Sequence, residues 1–389
     1  MNTVADIILG TVRAQVCGQQ YYVDNEISDD VMDEIYRLSK AHDVVHIVAA
    51  ELIAQKAIRK QEIIEKFKKQ QILAIYRYER INYELKQICR VLDETNIPYM
   101  PLKGAVMRQY YPEPWMRTSA DIDILVKPED ADVTAARLVQ SLGYRNDGID
   151  EHDIQMFAPS GVHLELHFET IEDYRLPKAN EVLKNMWNEH VVCIKDQHCS
   201  MSNEMFYFYH VAHMAKHFKG SGCGIRFFLD MWLLNHRVEY DQRKKNALLQ
   251  AGELLTFAQH AESLAEVWFG EKSHTEITKK MEQYILNGGV YGSLENAMAV
   301  ESVAYGGRFG HAKYLVFRPF HALRRQYRIL YKHKWLFPFC QIHRWIRLIF
   351  TGISRAKRTL RRSANAYTKS GDDVEQMLRD LKLTNKKSK

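Results

Sequence analysis

Two short stretches carry residues whose types and spacing suit metal-assisted phosphoryl chemistry. SADIDILVKP (119–128) places Asp121 and Asp123 two residues apart, in alternation with Ile122, Ile124 and Val126. Side chains alternate across a strand, so the two carboxylates share one face and the three apolar residues the other. Neighbouring carboxylates repel and Asp is depleted in strands, so a bound cation is the expected compensation. VHLELHFE (162–169) repeats the pattern, with His163, Glu165 and His167 alternating with Leu164, Leu166 and Phe168. Together Asp121, Asp123 and Glu165 offer oxygen ligands for two hard divalent cations, which clamp the attacking and leaving oxygens in phosphoryl transfer.

A glycine turn, LKGAVM (102–107), precedes both stretches. Gly104 is expected to end a strand and open a helix, where the backbone N–H groups of Gly104 and Ala105 can meet a phosphate. Lys103 and Arg117 are candidates to bring positive charge to a triphosphate, Arg through a fork that matches phosphate oxygens.

The order Gly104-Ala105, Asp121-x-Asp123, Glu165 resembles the motif order of the DNA polymerase beta-like nucleotidyltransferase superfamily. More narrowly, LKGAVM, YYPEPWMRTSADIDILV, LELHFE, HMAKHF and RFFLD resemble a family of mostly uncharacterised bacterial nucleotidyltransferases, over about residues 40–355. The resemblance implies that Asp121 and Asp123 bind two Mg2+ ions, with Mn2+ as a substitute. It implies that Glu165 binds one of them and helps activate an acceptor hydroxyl. Gly104 would hold the β and γ phosphates of an NTP, with ATP the expected nucleotide. The implied reaction moves an NMP to the hydroxyl of a small molecule, sugar, peptide or protein and releases pyrophosphate. The superfamily usually has Gly-Ser at the turn; Ala105 replaces that serine, so Lys103 or Arg117 is expected to compensate. His163, His167, His213 and His217 are candidate substrate contacts.

These residues need elements to hold them. No glycine or proline occurs between Gly18 and Pro98, and Ile81, Leu85, Ile88 and Leu92 recur at helical spacing, which predicts several helices ending near Asn96. A short strand is expected within IPYMPLKG, then a helix over 104–111, a Pro-rich loop and the strand with the two Asp. The run 128–142 reads as a helix with Val133, Ala136, Leu138 and Val139 inward, closed by Gly143. After a loop around Gly148, IQMFAPSG and VHLELHFE form a hairpin turning at Pro159-Ser160-Gly161. From Asn203 on, NEMFYFYHVAHMAKHFK, GIRFFLDMWLLNHRV and ALLQAGELLTFAQHAESLAEVWFG predict three helices. The expected fold is therefore α+β. A small mixed β-sheet core (97–200) is flanked by a helical N-terminal segment (1–96) and a large helical C-terminal region (201–362), with a polar tail (363–389).

The 389 residues are 46% apolar and 26% charged, a globular composition. The start lacks a charged segment followed by an apolar core, no apolar run reaches about 18 residues, and the six cysteines form no CxxC pair. A cytoplasmic protein with reduced thiols is expected, with peripheral membrane contact as an option. The net charge of +6 is uneven: residues 302–371 hold 16 Lys and Arg and no Asp or Glu. This basic aromatic stretch could meet nucleic acid, an anionic membrane surface or the acidic rest of the chain.

Plainer readings stand beside these. The Asp pair could be a solvated strand face, and Arg117 could pair with a carboxylate such as Glu113. His210, His213 and His217 share a helix face but lack the Glu and Cys partners of a zinc site, which favours structural or substrate-contact roles. Arg226 and Asp230 are expected to pair within their helix. Two functional alternatives remain: a toxin-like or RNA-modifying nucleotidyltransferase, and a non-catalytic relative that binds nucleotide or a partner.

Overall fold

The Gly- and Pro-free stretch folds into α2 (Asp29–Ala41), α3 (Val45–Ala54) and α4 (Gln61–Asp93), preceded by α1 (Val4–Cys17). Thr3 and Asp6 cap α1 reciprocally: Asp6 N donates to Thr3 Oγ1 at 3.2 Å and Thr3 N to Asp6 Oδ2 at 2.9 Å. The computed structural model describes residues 3–23, 27–150, 152–171, 176–195, 197–290, 292–293, 296–297, 300, 313–314, 316–327, 329–351 and 372–384. Chain contacts define two units, Met1–Lys216 with Cys223–Val290, and His217–Gly222 with Tyr291–Lys389.

The first unit holds the sheet. Its strands are β1 (Tyr99–Pro101), β2 (Asp121–Val126), β3 (Arg145–Ile149), β4 (Asp153–Phe157), β5 (His163–His167), β6 (Val191–Lys195) and β7 (His198–Met201). They lie in the order β3-β4-β5-β2-β1-β7-β6. β2 runs parallel to β5 and antiparallel to β1, so the sheet is mixed. One face is the core. Ile122, Ile124, Val126, Ile154, Met156, Leu164 and Leu166 pack against Ile81, Ile88, Val91 and Leu92 of α4 and against α6 (Ala131–Leu142). At roughly 25 cal/mol per Å2 of apolar surface removed from water, this two-helix cover ties one face of the sheet to α4 and α6. The opposite face carries the polar residues of β2, β4 and β5.

Several expectations are corrected. The sheet is larger than a small core, because β6 and β7 add an antiparallel pair at one edge. The loop around Gly148 is strand β3, which keeps pairing with β4 through a bulge between Asn146 and Gly148, where Gly148 takes φ 117°. The helix after Gly104 is a single turn, α5 (Gly104–Met107), followed by a 3-10 turn at Arg108–Tyr110. In α6 the buried residues are Ala131, Thr134, Ala135 and Leu138; of the expected inward set only Leu138 is buried, while Val133, Ala136 and Val139 face solvent.

Further along are α7 (Pro177–Lys184), α8 (Met186–Glu189), α9 (Asn203–Gly220), α10 (Ile225–Arg237), α11 (Gln242–Ala251), α12 (Leu255–Phe269) and α13 (Glu276–Leu286). The third predicted helix is thus two, α11 and α12. The chain breaks at Gly252, whose added Cβ would lie 2.5 Å from Phe208, and at Glu253, with φ 56°. Cys17, Cys89, Cys223 and Cys340 are free thiols, but Cys199 is disulfide-bonded, against the all-reduced expectation. Its register partner in the β6–β7 pair is Cys193, so the antiparallel ladder is what sets two cysteines opposite each other.

In the second unit, α14 (Phe320–Gln326), α15 (Ile329–Lys332) and α16 (Phe337–Thr351) pack around Leu323, Leu330 and Cys340. Of the basic stretch, residues 302–312, 315, 328 and 352–371 lie outside the described residues, as does 363–371 of the polar tail. No helix of the described residues is long and apolar enough to cross a membrane.

Candidate active site

The strand register arranges the polar face as three rows. Across β4, β5 and β2 they read Phe157–His163–Asp121, Gln155–Glu165–Asp123 and Asp153–His167–Leu125. Neighbouring strands lie about 4.8 Å apart, so the two Asp of β2 and Glu165 of β5 converge without any long side chain having to reach. Asp123 is 3% exposed, whereas Asp121 and Glu165 are only half-buried.

Lys103 closes this patch. It stands at the N-cap of α5 with φ 45° and ψ −116°, a backbone conformation that favours glycine and costs a lysine about 1–3 kcal/mol. The strained turn aims its ammonium at the acids, 2.6 Å from Asp123 Oδ1 and 3.7 Å from Glu165 Oε2. His167, in the next row of the same face, also reaches them: Nε2 lies 2.9 Å from Asp123 Oδ1 and 3.3 Å from Glu165 Oε2. These contacts set the charge states. Burial and the neighbouring Asp123 push the Asp121 carboxyl up to about 6. Asp123 carries a burial penalty too, but Lys103 and His167 outweigh it and hold its carboxyl well below the usual range. Glu165 is lowered by the same two groups against burial. His167 is raised by hydrogen bonds to Asp123 and Glu165, against burial and the Lys103 charge.

The phosphate side of the site is built around Gly104. A Cβ there would lie 3.1 Å from Ser119 Cβ, 3.2 Å from Ser119 Oγ and 3.7 Å from an Arg108 guanidinium nitrogen, a tight fit in which the Ser119 side chain would have to give by a few tenths of an ångström. Arg108 donates to Ser119 Oγ and, through Nε at 3.3 Å, to the Arg117 carbonyl. Burial, and then the charge of Arg117, lower Arg108 to about 10. A guanidinium and a hydroxyl therefore flank the turn at which Ala105 lacks one.

Arg117 is placed differently from its expected triphosphate role. It is buried, with Nε 2.8 and 2.9 Å from the two Asp230 oxygens, a second nitrogen 2.8 Å from Oδ2, and a third donating to the Thr118 carbonyl at 2.6 Å. Its donors are committed before a ligand arrives. Tyr111 completes the group by donating to Asp230 Oδ1 at 2.7 Å. Arg226, expected to pair with Asp230, instead pairs with Asp43, which also accepts from Thr118 Oγ1 at 2.7 Å. On the other side His46 Nε2 contacts the Met116 carbonyl at 2.8 Å. Residues from α3, α10 and the turn before α3 thus hold the Pro-rich loop that delivers β2.

The histidines separate. His163 lies beside Asp121, its Nε2 2.5 Å from Gln155 Oε1 and its ring stacked 4.7 Å from Phe157. His213 stacks on Tyr209, with ring centroids 6.2 Å apart. His210 contacts the Phe227 carbonyl at 3.1 Å, and burial lowers its pKa, a structural placement. His217 falls in the second unit, where its carbonyl accepts from Ser221 N and Gly222 N. Tyr209 was not foreseen. It is 2% exposed, its hydroxyl has no hydrogen-bond partner, and burial together with the charges of Asp123, Glu165 and Asp121 raises its pKa even though Lys103 opposes this. Nothing in the apolar run NEMFYFYH marks it. Arg108 and Ser119 did carry a signal: four residues after Gly104, and two before Asp121 in the same alternation.

Among the described residues three groups could hold a metal ion, each with ligand atoms within 4.8 Å of one another: Asp121–His163–Glu165, Asp123–Glu165–His167 and His152–Asp153–His167. Acids on adjacent strands beside a glycine turn form a site suited to transfer of phosphorus-containing groups. The chain belongs to a family of uncharacterised nucleotidyltransferases, whose pattern spans residues 28–270. No curated protein and no solved structure matches the chain.

Proposed function

We propose that this protein is a metal-dependent nucleotidyltransferase of the DNA polymerase beta-like type that moves an NMP from an NTP to an acceptor hydroxyl. The observation that carries the reading is the register Asp121↔His163, Asp123↔Glu165, which gathers three carboxylates on one face beside Lys103 and Gly104. The donor set fits hard divalent cations: three acids meet one ammonium and one imidazole, and burial together with the neighbouring Asp123 raises the Asp121 carboxyl to about 6. Asp121, Asp123 and Glu165 would hold Mg2+ or Mn2+, which neutralises phosphate charge and polarises the acceptor oxygen.

The chain's own residues do the positioning. The Gly104 turn lets a phosphate approach the backbone, with Arg108 and Ser119 Oγ as ligands for the β and γ oxygens in place of the hydroxyl missing at Ala105. Lys103 offers the triphosphate its ammonium while keeping Asp123 ionised. The acceptor oxygen forms a bond to the α-phosphorus as the bond from that phosphorus to the bridging oxygen breaks. Pyrophosphate leaves, and the acceptor proton passes to Glu165 or Asp121. On the acceptor side we assign His163, beside Asp121, and Tyr209 of α9, whose hydroxyl faces the charges of the acids, with His213 stacked behind Tyr209.

The test incubates the protein, and an Asp123→Asn variant, with Mg2+ or Mn2+ and each α-labelled NTP, with and without cell extract. Label transfer with pyrophosphate release from the unmutated protein alone supports the reading, and the labelled product identifies the acceptor as small molecule, polypeptide or RNA. NTP binding without release in any extract would turn the assignment to a non-catalytic nucleotide binder.

For the basic stretch we propose docking on an anionic membrane surface. Trp335, Phe339, Ile342 and Ile346 are 49–68% exposed, within a stretch that has no acidic residue. Trp335 and Phe339 suit either surface, but Ile342 and Ile346 give a lipid surface apolar area and give a nucleic-acid base nothing to stack on. Co-sedimentation with anionic but not zwitterionic vesicles is expected, and preference for single-stranded RNA over both would overturn it.

A further inference from the structure

His167 has two ring nitrogens, and the acids use one. Nε2 faces Asp123 and Glu165, and contact with two carboxylate oxygens requires that it carry a proton. Nδ1 is buried with no hydrogen-bond partner, in a side chain 1% exposed. A buried polar atom left unsatisfied calls for an explanation, and an absent ligand is one.

The surroundings of that ring supply the rest of a site. Asp153 stands opposite His167 in the β4–β5 ladder and is 2% exposed. One Asp153 oxygen accepts from Gln155, and the other lies 3.5 Å from His152 Nε2. The His152 ring is 5.3 Å from that of His167. Its side chain is 15% exposed, which gives an ion a way in. The backbone of His152 is fixed too, its carbonyl accepting from Phe168 N at 3.0 Å and Glu169 N at 3.2 Å.

We propose that His152, Asp153 and His167 form a transition-metal site, distinct from the three acids, whose donor set accommodates zinc. Two imidazoles and one carboxylate suit zinc far better than magnesium, and three protein ligands leave a fourth position for water. A metal-bound histidine commonly gives its other N–H to a carboxylate, which fixes the tautomer and the ring plane. His167 already does so toward Asp123 and Glu165. A bound ion would therefore lock the imidazole that holds two of the three catalytic acids, making His167 a positioning residue. The metal site does not rest on the transferase reading; the positioning role of His167 does.

The test titrates chelator-stripped full-length protein with Co2+ in excess Mg2+, follows the visible absorption of the bound ion, and displaces it with Zn2+. One Co2+ or Zn2+ per chain is expected, undisturbed by Mg2+. His152→Gln and Asp153→Asn should each weaken binding by about 100-fold, while Asp121→Asn leaves it unchanged. No tight site in the unmutated protein overturns the proposal whether or not the variants fold. Loss in Asp121→Asn with retention in His152→Gln overturns it too, since the ion then sits on the acids. Pyrophosphate release measured in parallel reports on the transferase reading separately.

Discussion

Two buried charge clusters flank the loop from Tyr111 to Ala120, and they differ in balance. On the α10 side, Arg117 meets Asp230 and Arg226 meets Asp43; each cation has one acid, and Tyr111 and Thr118 add hydroxyl donors to the same carboxylates. On the sheet side, Asp121, Asp123 and Glu165 face one lysine and one histidine, and Asp121 stays protonated up to about pH 6. The first cluster is complete as it stands and fixes geometry. The second has more negative charge than partners, with its outer acids open to solvent, which is what a site for a cationic ligand requires. Placing an arginine near the motif is therefore not enough to make it a ligand; whether its donors are already spent decides.

The largest effect should come from the open cluster. Asp123→Asn is expected to lower pyrophosphate release at least ~10³-fold, comparable to loss of a main electrostatic contact in a transition state. Its thermal midpoint should hold, because Lys103 keeps Glu165 as a partner. The closed cluster should behave in the opposite way. Asp230→Ala strands a buried guanidinium and should cost about 3–5 kcal/mol in denaturant unfolding, as should Arg117→Ala, with the double variant costing less than the sum. If Arg117→Ala keeps its stability and loses NTP affinity instead, the arginine is a nucleotide ligand and the comparison fails.

A smaller effect sharpens the contrast through pH. Asp121 is raised in the folded protein to about 6 from an ordinary value of 3.8. The folded state then binds more protons than the unfolded one between about pH 4 and 6, so metal-free stability should fall as pH rises through that window. Allowing for solvent at a partly exposed group, the loss is about 1–2 kcal/mol. Melting curves of Asp121→Asn should show it gone, and saturating Mg2+ should flatten it in the unmutated protein. Equal pH slopes in both proteins would mean that burial and Asp123 do not raise the Asp121 carboxyl.

Much of the site was legible because its signals are local. Alternation alone put Asp121 with Asp123 and Glu165 with His163 and His167, and the hairpin turning at Gly161, φ 82°, was readable from Pro-Ser-Gly. What sequence spacing could not tell was which strands become neighbours. The parallel β2–β5 pairing brings Asp123 to Glu165 across 42 positions, and Arg117 reaches Asp230 across 113. The family resemblance bridged the first gap but not the second. β6 and β7 escaped notice because VVCIK and HCSM are short and lie beside helical turns, with no alternation long enough to read.

The inward face of α6 shows the same lesson at its smallest scale and yields the last test. Two stripes fit a helical period over 131–142: Val133, Ala136 and Val139, and Ala131, Thr134, Ala135 and Leu138. Hydrophobicity favours the first, yet the second is buried. The small residues of that stripe let α6 lie close to the strands and to α4, and Thr134 is made harmless by donating to the Asp130 carbonyl at 2.7 Å. Close approach outweighs the apolar gain of two valines, which remain 53% and 42% exposed. Val133→Thr should therefore change stability by no more than about 0.5 kcal/mol, against roughly 2–5 kcal/mol for Leu138→Ala. A penalty at Val133 approaching that at Leu138 would mean that α6 is turned the other way, and with it the sheet face that presents the acids.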